Sequence, residues 1–213
     1  MRLSLLLRIY LSIAIALTAL FAVTVWLVQR DSVRRWIGDG LPTLCRRAWP
    51  DASDEDMALF ITSVSAAYRA DCAMHTRAYP NVLQMLELLQ SRGAAMAVLT
   101  NKPHALTLAI LGALDLARFF NPMHGYVHES DKKPAPTVAL RIASQWKIEP
   151  REIAFVGDSD VDIRTARNAG MPSIAVTWGM RDREELLEAK PDQMVDDPLE
   201  VAKIFFFGDG EKK

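Results

Sequence analysis

Apolar residues run almost unbroken from Ile9 to Val28, with no charge among them. That is roughly the 20 residues a helix needs to cross a hydrocarbon core. Beyond Ser32 the pattern turns amphipathic. Val33, Trp36 and Ile37 precede a break at Gly38-Asp39-Gly40, and Leu41, Leu44 and Ala48 then recur at helical spacing. Ser53 followed by Asp54-Glu55-Asp56 reads as an N-cap with acids in the first turn, and Met57, Phe60, Ile61, Val64 and Tyr68 form one apolar face. No strand pattern interrupts this stretch.

The rhythm changes at Tyr79-Pro80. Val82, Leu83, Leu86 and Leu89 predict a helix ending near Arg92-Gly93. Short apolar runs at Ala94–Thr100, Ile153–Val156, Ser173–Thr177 and Met194-Val195 then predict strands, with a further short strand near Tyr126-Val127. Between them lie helical patterns over His104–Leu116, Pro136–Trp146, Val161–Ala169 and Glu184–Leu187. Strands alternating with helices predict an α/β fold built on a doubly wound parallel sheet. Four segments follow: an apolar segment over 1–30, a helical unit over 31–78, an α/β core over 79–205, and a tail over 206–213 that holds the end of the Phe205-Phe206-Phe207 cluster and a charged terminus.

Composition alters this picture little. The 213 residues carry a formal net charge of −1, and basic residues are scattered rather than striped, so nucleic acid is not an expected partner. Cys45 and Cys72 are too few for a disulfide framework and lack metal-ligand spacing. His75, His104, His124 and His128 show no ligand spacing either.

Two readings of the apolar segment stay open. Arg2 and Arg8 flank the run of residues 9–28 on one side, and Arg30, Arg34 and Arg35 on the other, with Trp26 near its end. This suits an uncleaved membrane anchor better than a signal peptide, because the run is long and no A-x-A site follows. The more basic downstream flank then expects a cytoplasmic C-terminal domain, anchored in an inner membrane. Alternatively, Ala22-Val-Thr-Val-Trp-Leu-Val28 is β-branched enough to be a buried strand of the soluble fold.

Chemistry belongs at the carboxyl ends of parallel strands. Thr100 and Asn101 stand at one such end, where a hydroxyl and free N–H groups suit a phosphate oxygen or, equally, a helix cap. Lys133, in Lys132-Lys133-Pro134-Ala135-Pro136, is a point charge for phosphate or a solvated surface lysine. Gly157-Asp158-Ser159-Asp160-Val161-Asp162 crowds three carboxylates into one loop and helix start. Such crowding suits Mg²⁺, and it equally suits capping by Asp158 with Asp160 and Asp162 answering the helix dipole.

Taken together these residues resemble the haloacid dehalogenase-like hydrolases of the phosphoglycolate phosphatase type. Leu99-Thr100-Asn101-Lys102-Pro103 resembles the second family motif, Lys133-Pro134-Ala135-Pro136 the third, and Gly157–Asp162 the fourth. Ile163–Met171 and Trp178-Gly179 continue the likeness, and Val33–Leu41 resembles the family's helical cap. The resemblance implies a Rossmann-like core with a cap, Mg²⁺ as cofactor, and a small phosphorylated metabolite such as phosphoglycolate as substrate. It implies that Thr100 and the Asn101 amide hold phosphate oxygens, that Lys133 neutralises charge, that Asp158 binds Mg²⁺, and that Asp162 supports the metal or Lys133. Thr100 and Lys133 are on this basis the catalytic pair.

The family's opening motif, Phe-Asp-x-Asp-Gly-Thr, does not occur in the chain. Asp54-Glu55-Asp56 has the spacing but opens a helix, and Asp158-Ser159-Asp160 belongs to the fourth motif. In the family that motif supplies the nucleophile and ends the central strand, between those ending at Thr100 and Val156. The expectation is therefore hydrolysis lost or very weak, and a core open between those two strands unless Ala22–Val28 fills it. Two further readings are a membrane-tethered, non-catalytic phosphate-binding module, and a fused or truncated gene product joined near Gln29-Arg30-Asp31.

Overall fold

The computed structural model describes residues 40–74 and 76–207. The apolar run 9–28, with both its readings, lies outside those residues, as do 31–39 of the helical unit. Among the described residues no helix is long and apolar enough to cross a membrane.

The described part of the helical unit holds two helices. Helix α1 (Leu41–Ala48) starts after Gly40, whose φ of 93° a side chain would strain, and places Pro42 in its first turn. Helix α2 (Asp54–Asp71) begins as expected: Ser53 Oγ accepts from the Asp56 amide at 3.1 Å, and Asp54, Glu55 and Asp56 line the first turn. Cys45 on α1 and Met57 on α2 are buried, and Trp49 meets Phe60 edge-on, ring centroids 5.8 Å apart. Cys72, just past α2, packs on Leu106 and Ile110 of the core.

The core then alternates helix and strand: α3 (Val82–Ser91), β1 (Val98–Pro103), α4 (His104–Ala113), β2 (Met123–Tyr126), α5 (Thr137–Trp146), β3 (Phe155–Gly157), α6 (Asp160–Ala169), β4 (Ser173–Val176), α7 (Arg183–Glu188), β5 (Gln193–Val195) and α8 (Pro198–Phe207). Every strand pairing is parallel. Strand β1 starts later than the apolar run suggested. Its partner β2 follows the imide of Pro122, which has no N–H to give, so the ladder opens with the Val98 amide on the Pro122 carbonyl. Helix α8 was hidden in what reads as an apolar tail. Asp197 Oδ1 accepts from the Leu199 amide at 2.8 Å at its start, Val201 and Ile204 turn inward, and the helix runs on to Phe207 rather than ending the core at 205.

One doubly wound sheet was expected; the strands form two ladders instead, β1–β2 and β3–β4–β5. The physical reason is spacing. A ladder needs a neighbour about 4.8 Å away, and among the described residues no strand stands between β1 and β3. Val156, in the middle of β3, is 42% exposed, whereas every residue of β4 is buried.

The two ladders nevertheless share a floor. Ala139 and Ala143 of α5 pack with Ala166 and Ala169 of α6, and Leu99 of β1 and Phe155 of β3 both rest on this cluster. Small residues let those helices lie close. On β4 the pleat sends Ile174 and Val176 to a cluster with Val195 and Val201, and Ala175 the other way, to Ile163 and Leu186.

Candidate functional site

The three motifs meet at the carboxyl ends of β1 and β3. Asn101, on β1 and 8% exposed, brackets the backbone of Lys133: its Oδ1 accepts from the Lys133 amide at 2.7 Å, and its Nδ2 donates to the Lys133 carbonyl at 3.1 Å. That clamp fixes where the Lys133 side chain starts. Its Nζ then reaches Asp162 Oδ1 at 2.6 Å, with only 12% of the lysine side chain and 7% of the aspartate side chain exposed. Asp162 Oδ2 accepts from Ser159 Oγ at 2.6 Å. Both carboxylate oxygens are thus engaged within the protein. Of the two roles the resemblance leaves Asp162, the geometry has it on Lys133.

The cap of α6 is Ser159, not Asp158: its Oγ accepts from the Asp162 amide. Asp158 is thereby released toward the loop after β4, where its Oδ2 accepts from the Met180 amide at 2.8 Å. Two glycines make room. A Cβ on Gly157 would collide with Asp162, and one on Gly179 with Asp158. Asp160 points elsewhere, into an exposed i,i+4 pair with Arg164 at 2.9 Å. Thr100 Oγ accepts from the Lys102 amide at 3.2 Å, and its own proton has no acceptor among the described residues.

Donor chemistry can be tested against Mg²⁺. This ion typically takes one or two carboxylates together with waters and substrate phosphate. Asp158 has no partner for Oδ1 among the described residues and sits where only a glycine at 179 leaves it room, and it fits as one such ligand. Asp162 stands with Oδ1 on Lys133 and Oδ2 on Ser159. Among the described residues no three His, Cys, Asp or Glu side chains come together as a metal cage.

Two further groups have shifted titration, His124 on β2 and Asp192 at the amino end of β4. His124, paired with Leu99 across the β1–β2 ladder, is held below the usual imidazole range by burial, then by Arg141 and His104, against Asp131. Asp192 is held below the usual carboxylate range first by the Ser173 hydroxyl and then by the Ser173 amide, at 2.7 and 2.8 Å.

The haloacid dehalogenase-like hydrolase family profile matches residues 9–176. The chain belongs to the haloacid dehalogenase-like hydrolases. The match spans most of its length, including the apolar run and the Gln29–Asp31 stretch. Among curated relatives, the phosphoglycolate phosphatase of Pseudomonas syringae pv. tomato is 34% identical over 172 residues, covering 78% of this chain and 63% of that one. The chain therefore spans under two thirds of that relative's length. The phosphoglycolate phosphatase of Escherichia coli K12 is 31% identical over 195 residues, covering 82% of this chain and 77% of that protein. The crystal structure of a predicted phosphoglycolate phosphatase from Haemophilus somnus 129pt superposes with a TM-score of 0.78 at 30% identity, covering 82% and 81% of the two chains. A putative β-phosphoglucomutase from Thermotoga maritima, 23% identical with a TM-score of 0.61, shares the fold.

Sequence reasoning found Thr100, Asn101, Lys133, Asp158 and Asp162, and the structure gathers them at one end of the core. It missed the tertiary part. Asn101 was read through its amide, whereas its side chain clamps another motif. Trp178-Gly179 carries only a family likeness in the sequence; the missing Cβ at Gly179 admits Asp158. Pro103 and His104 bring α4 in tightly on β2, since a Cβ on Gly125 would lie 2.5 Å from the Lys102 carbonyl and 2.6 Å from His104 Cα.

Proposed function

We propose that this protein is a phosphoglycolate phosphatase-type member of its family that holds a small phosphate monoester at the Thr100–Lys133–Asp158 site and hydrolyses it little or not at all. Supporting the binding half of this reading is the Asn101–Lys133–Asp162 network, which carries a fixed cation to the strand ends beside the Thr100 hydroxyl, whose proton has no acceptor among the described residues. Thr100 and the Asn101 amide donate to phosphate oxygens. Lys133, held by Asp162, offsets the charge of the phosphoryl group. Asp158 would hold Mg²⁺, which when bound would neutralise phosphate charge.

The catalytic half rests on the sequence. Covalent phosphoryl transfer needs an in-line carboxylate, and each Asp-x-Asp of the chain is otherwise committed: 54–56 to the first turn of α2, 158–162 to the site just described. Loss of a nucleophile removes several orders of magnitude of rate. Binding without turnover is also what a regulatory phosphate-binding module does, and the same measurements bear on it.

Purified full-length protein is assayed with Mg²⁺ and 2-phosphoglycolate or p-nitrophenyl phosphate, and its melting temperature is read with and without inorganic phosphate. The expected result is no turnover above a no-enzyme control, with phosphate raising the melting temperature and Lys133→Ala removing that rise. Robust turnover abolished by Asp158→Asn would overturn the catalytic half; indifference to phosphate would overturn the binding half.

A further inference from the structure

Three lysines border the strand ends, and their partners differ. Lys133 is paired with Asp162 at 2.6 Å and Lys132 with Glu129 at 2.7 Å. Lys102 has no carboxylate among the described residues. Its Nζ instead meets the hydroxyl of Tyr68 at 2.5 Å and lies 4.8 Å from that ring's centroid. A phenol oxygen orients an ammonium group without cancelling its charge.

The backbone of Lys102 is fixed on both sides. Its amide donates to Thr100 Oγ at 3.2 Å, and its carbonyl accepts from Thr107 Oγ at 3.4 Å. The side chain therefore starts two residues from Thr100 and ends on α2, across the seam between helical unit and core. A small substrate lying with its phosphate on Thr100 and Lys133 would extend toward that seam.

We propose that Lys102, oriented by Tyr68, is a specificity-determining residue that binds a carboxylate carried by the phosphate monoester. This rests on the phosphate site proposed above and adds a second anchoring point to it. Desolvated only in part and with no acid partner among the described residues, the Lys102 ammonium gains a charge-assisted hydrogen bond from a carboxylate and gains nothing from an alkyl group at the same place. Tyr68 acts as the positioning residue.

The test uses the full-length protein, Mg²⁺ and two ligands that differ in the group of interest, 2-phosphoglycolate and ethyl phosphate. Calorimetric titration is expected to show the former binding about tenfold tighter, the size of one charge-assisted hydrogen bond. Lys102→Met should bring that preference below about twofold while ethyl phosphate affinity stays within about twofold, and Lys102→Arg should restore most of it. Independently of any variant, 2-phosphoglycolate and not ethyl phosphate should protect Lys102 from reductive methylation, read by mass spectrometry. A preference that survives Lys102→Met, equal weakening of both ligands, or equal protection by both would overturn the assignment of Lys102 and leave the phosphate site standing. Failure of the wild-type protein to bind either ligand would overturn both.

Discussion

The two ladders of the core are stabilised differently. In β3–β4–β5, strand β4 is buried along its whole length, with Ile174 and Val176 on one side and Ala175 on the other. The β1–β2 pair has intermediate burial over most of β1 and slips register between Thr100 and Pro103. Burial of a Val or Ile side chain contributes about 1.5–3 kcal/mol, and more of that burial falls on the three-stranded part. The β1–β2 part is tied to it by the floor under Leu99 and Phe155, by Met85 of α3 packed on the Val195 and Val201 cluster, and by the Asn101–Lys133–Asp162 chain of polar contacts. Residues read as phosphate ligands are thus also fasteners between the two ladders.

The largest expected effect follows from cutting that fastener. Asp162→Ala leaves the Lys133 ammonium buried without its partner and removes the acceptor of Ser159. Its cost should be about 3–5 kcal/mol, measured by urea unfolding of the full-length protein. A loss below about 1 kcal/mol would mean that the ladders do not depend on the site. Replacing the pair together, Lys133→Met with Asp162→Leu, should recover much of the stability while abolishing the phosphate-induced rise in melting temperature.

Apolar truncation compares the ladders directly. Ile174→Ala, at 4% exposure, should cost about 2–5 kcal/mol. Val156→Ala, on the half-open strand, should cost under about 1 kcal/mol. Equal costs would show that something in the full chain covers β3.

Acid should give the smallest effect. The folded-state pKa of Asp192 lies below its unfolded value, so the native state binds fewer protons than the unfolded state in the window between them. Its contribution is complete above the ordinary carboxylate range and is lost as pH falls through the depressed folded value. Ser173→Ala removes the hydroxyl that depresses it most and should flatten the dependence of unfolding free energy on pH in that window. An unchanged slope would place the acid sensitivity elsewhere.

Much of this was legible in the chain. Short apolar runs and helical patterns place most of the elements, because the apolar residues that signal them are the ones that pack. Strand ends shifted where a partner decides them: β1 starts at Val98 because of Pro122, a residue more than twenty positions away. Helix α8 was missed because three consecutive phenylalanines mask the one-sided burial of Val201 and Ile204. The site residues could be read as types at spacings, but their partners could not. That Asn101 holds Lys133, or that Gly179 yields space to Asp158, is a fact about segments that meet only after folding.

A library of variants of this chain selected for soluble expression alone, blind to chemistry, would return Asn101, Lys133 and Asp162 largely unchanged. The clamp makes a change at any one of them costly unless its partner changes with it. In such a protein the persistence of a phosphate motif through sequence drift reports on architecture as much as on use, and a lineage could stop turning over substrate long before its signature began to erode.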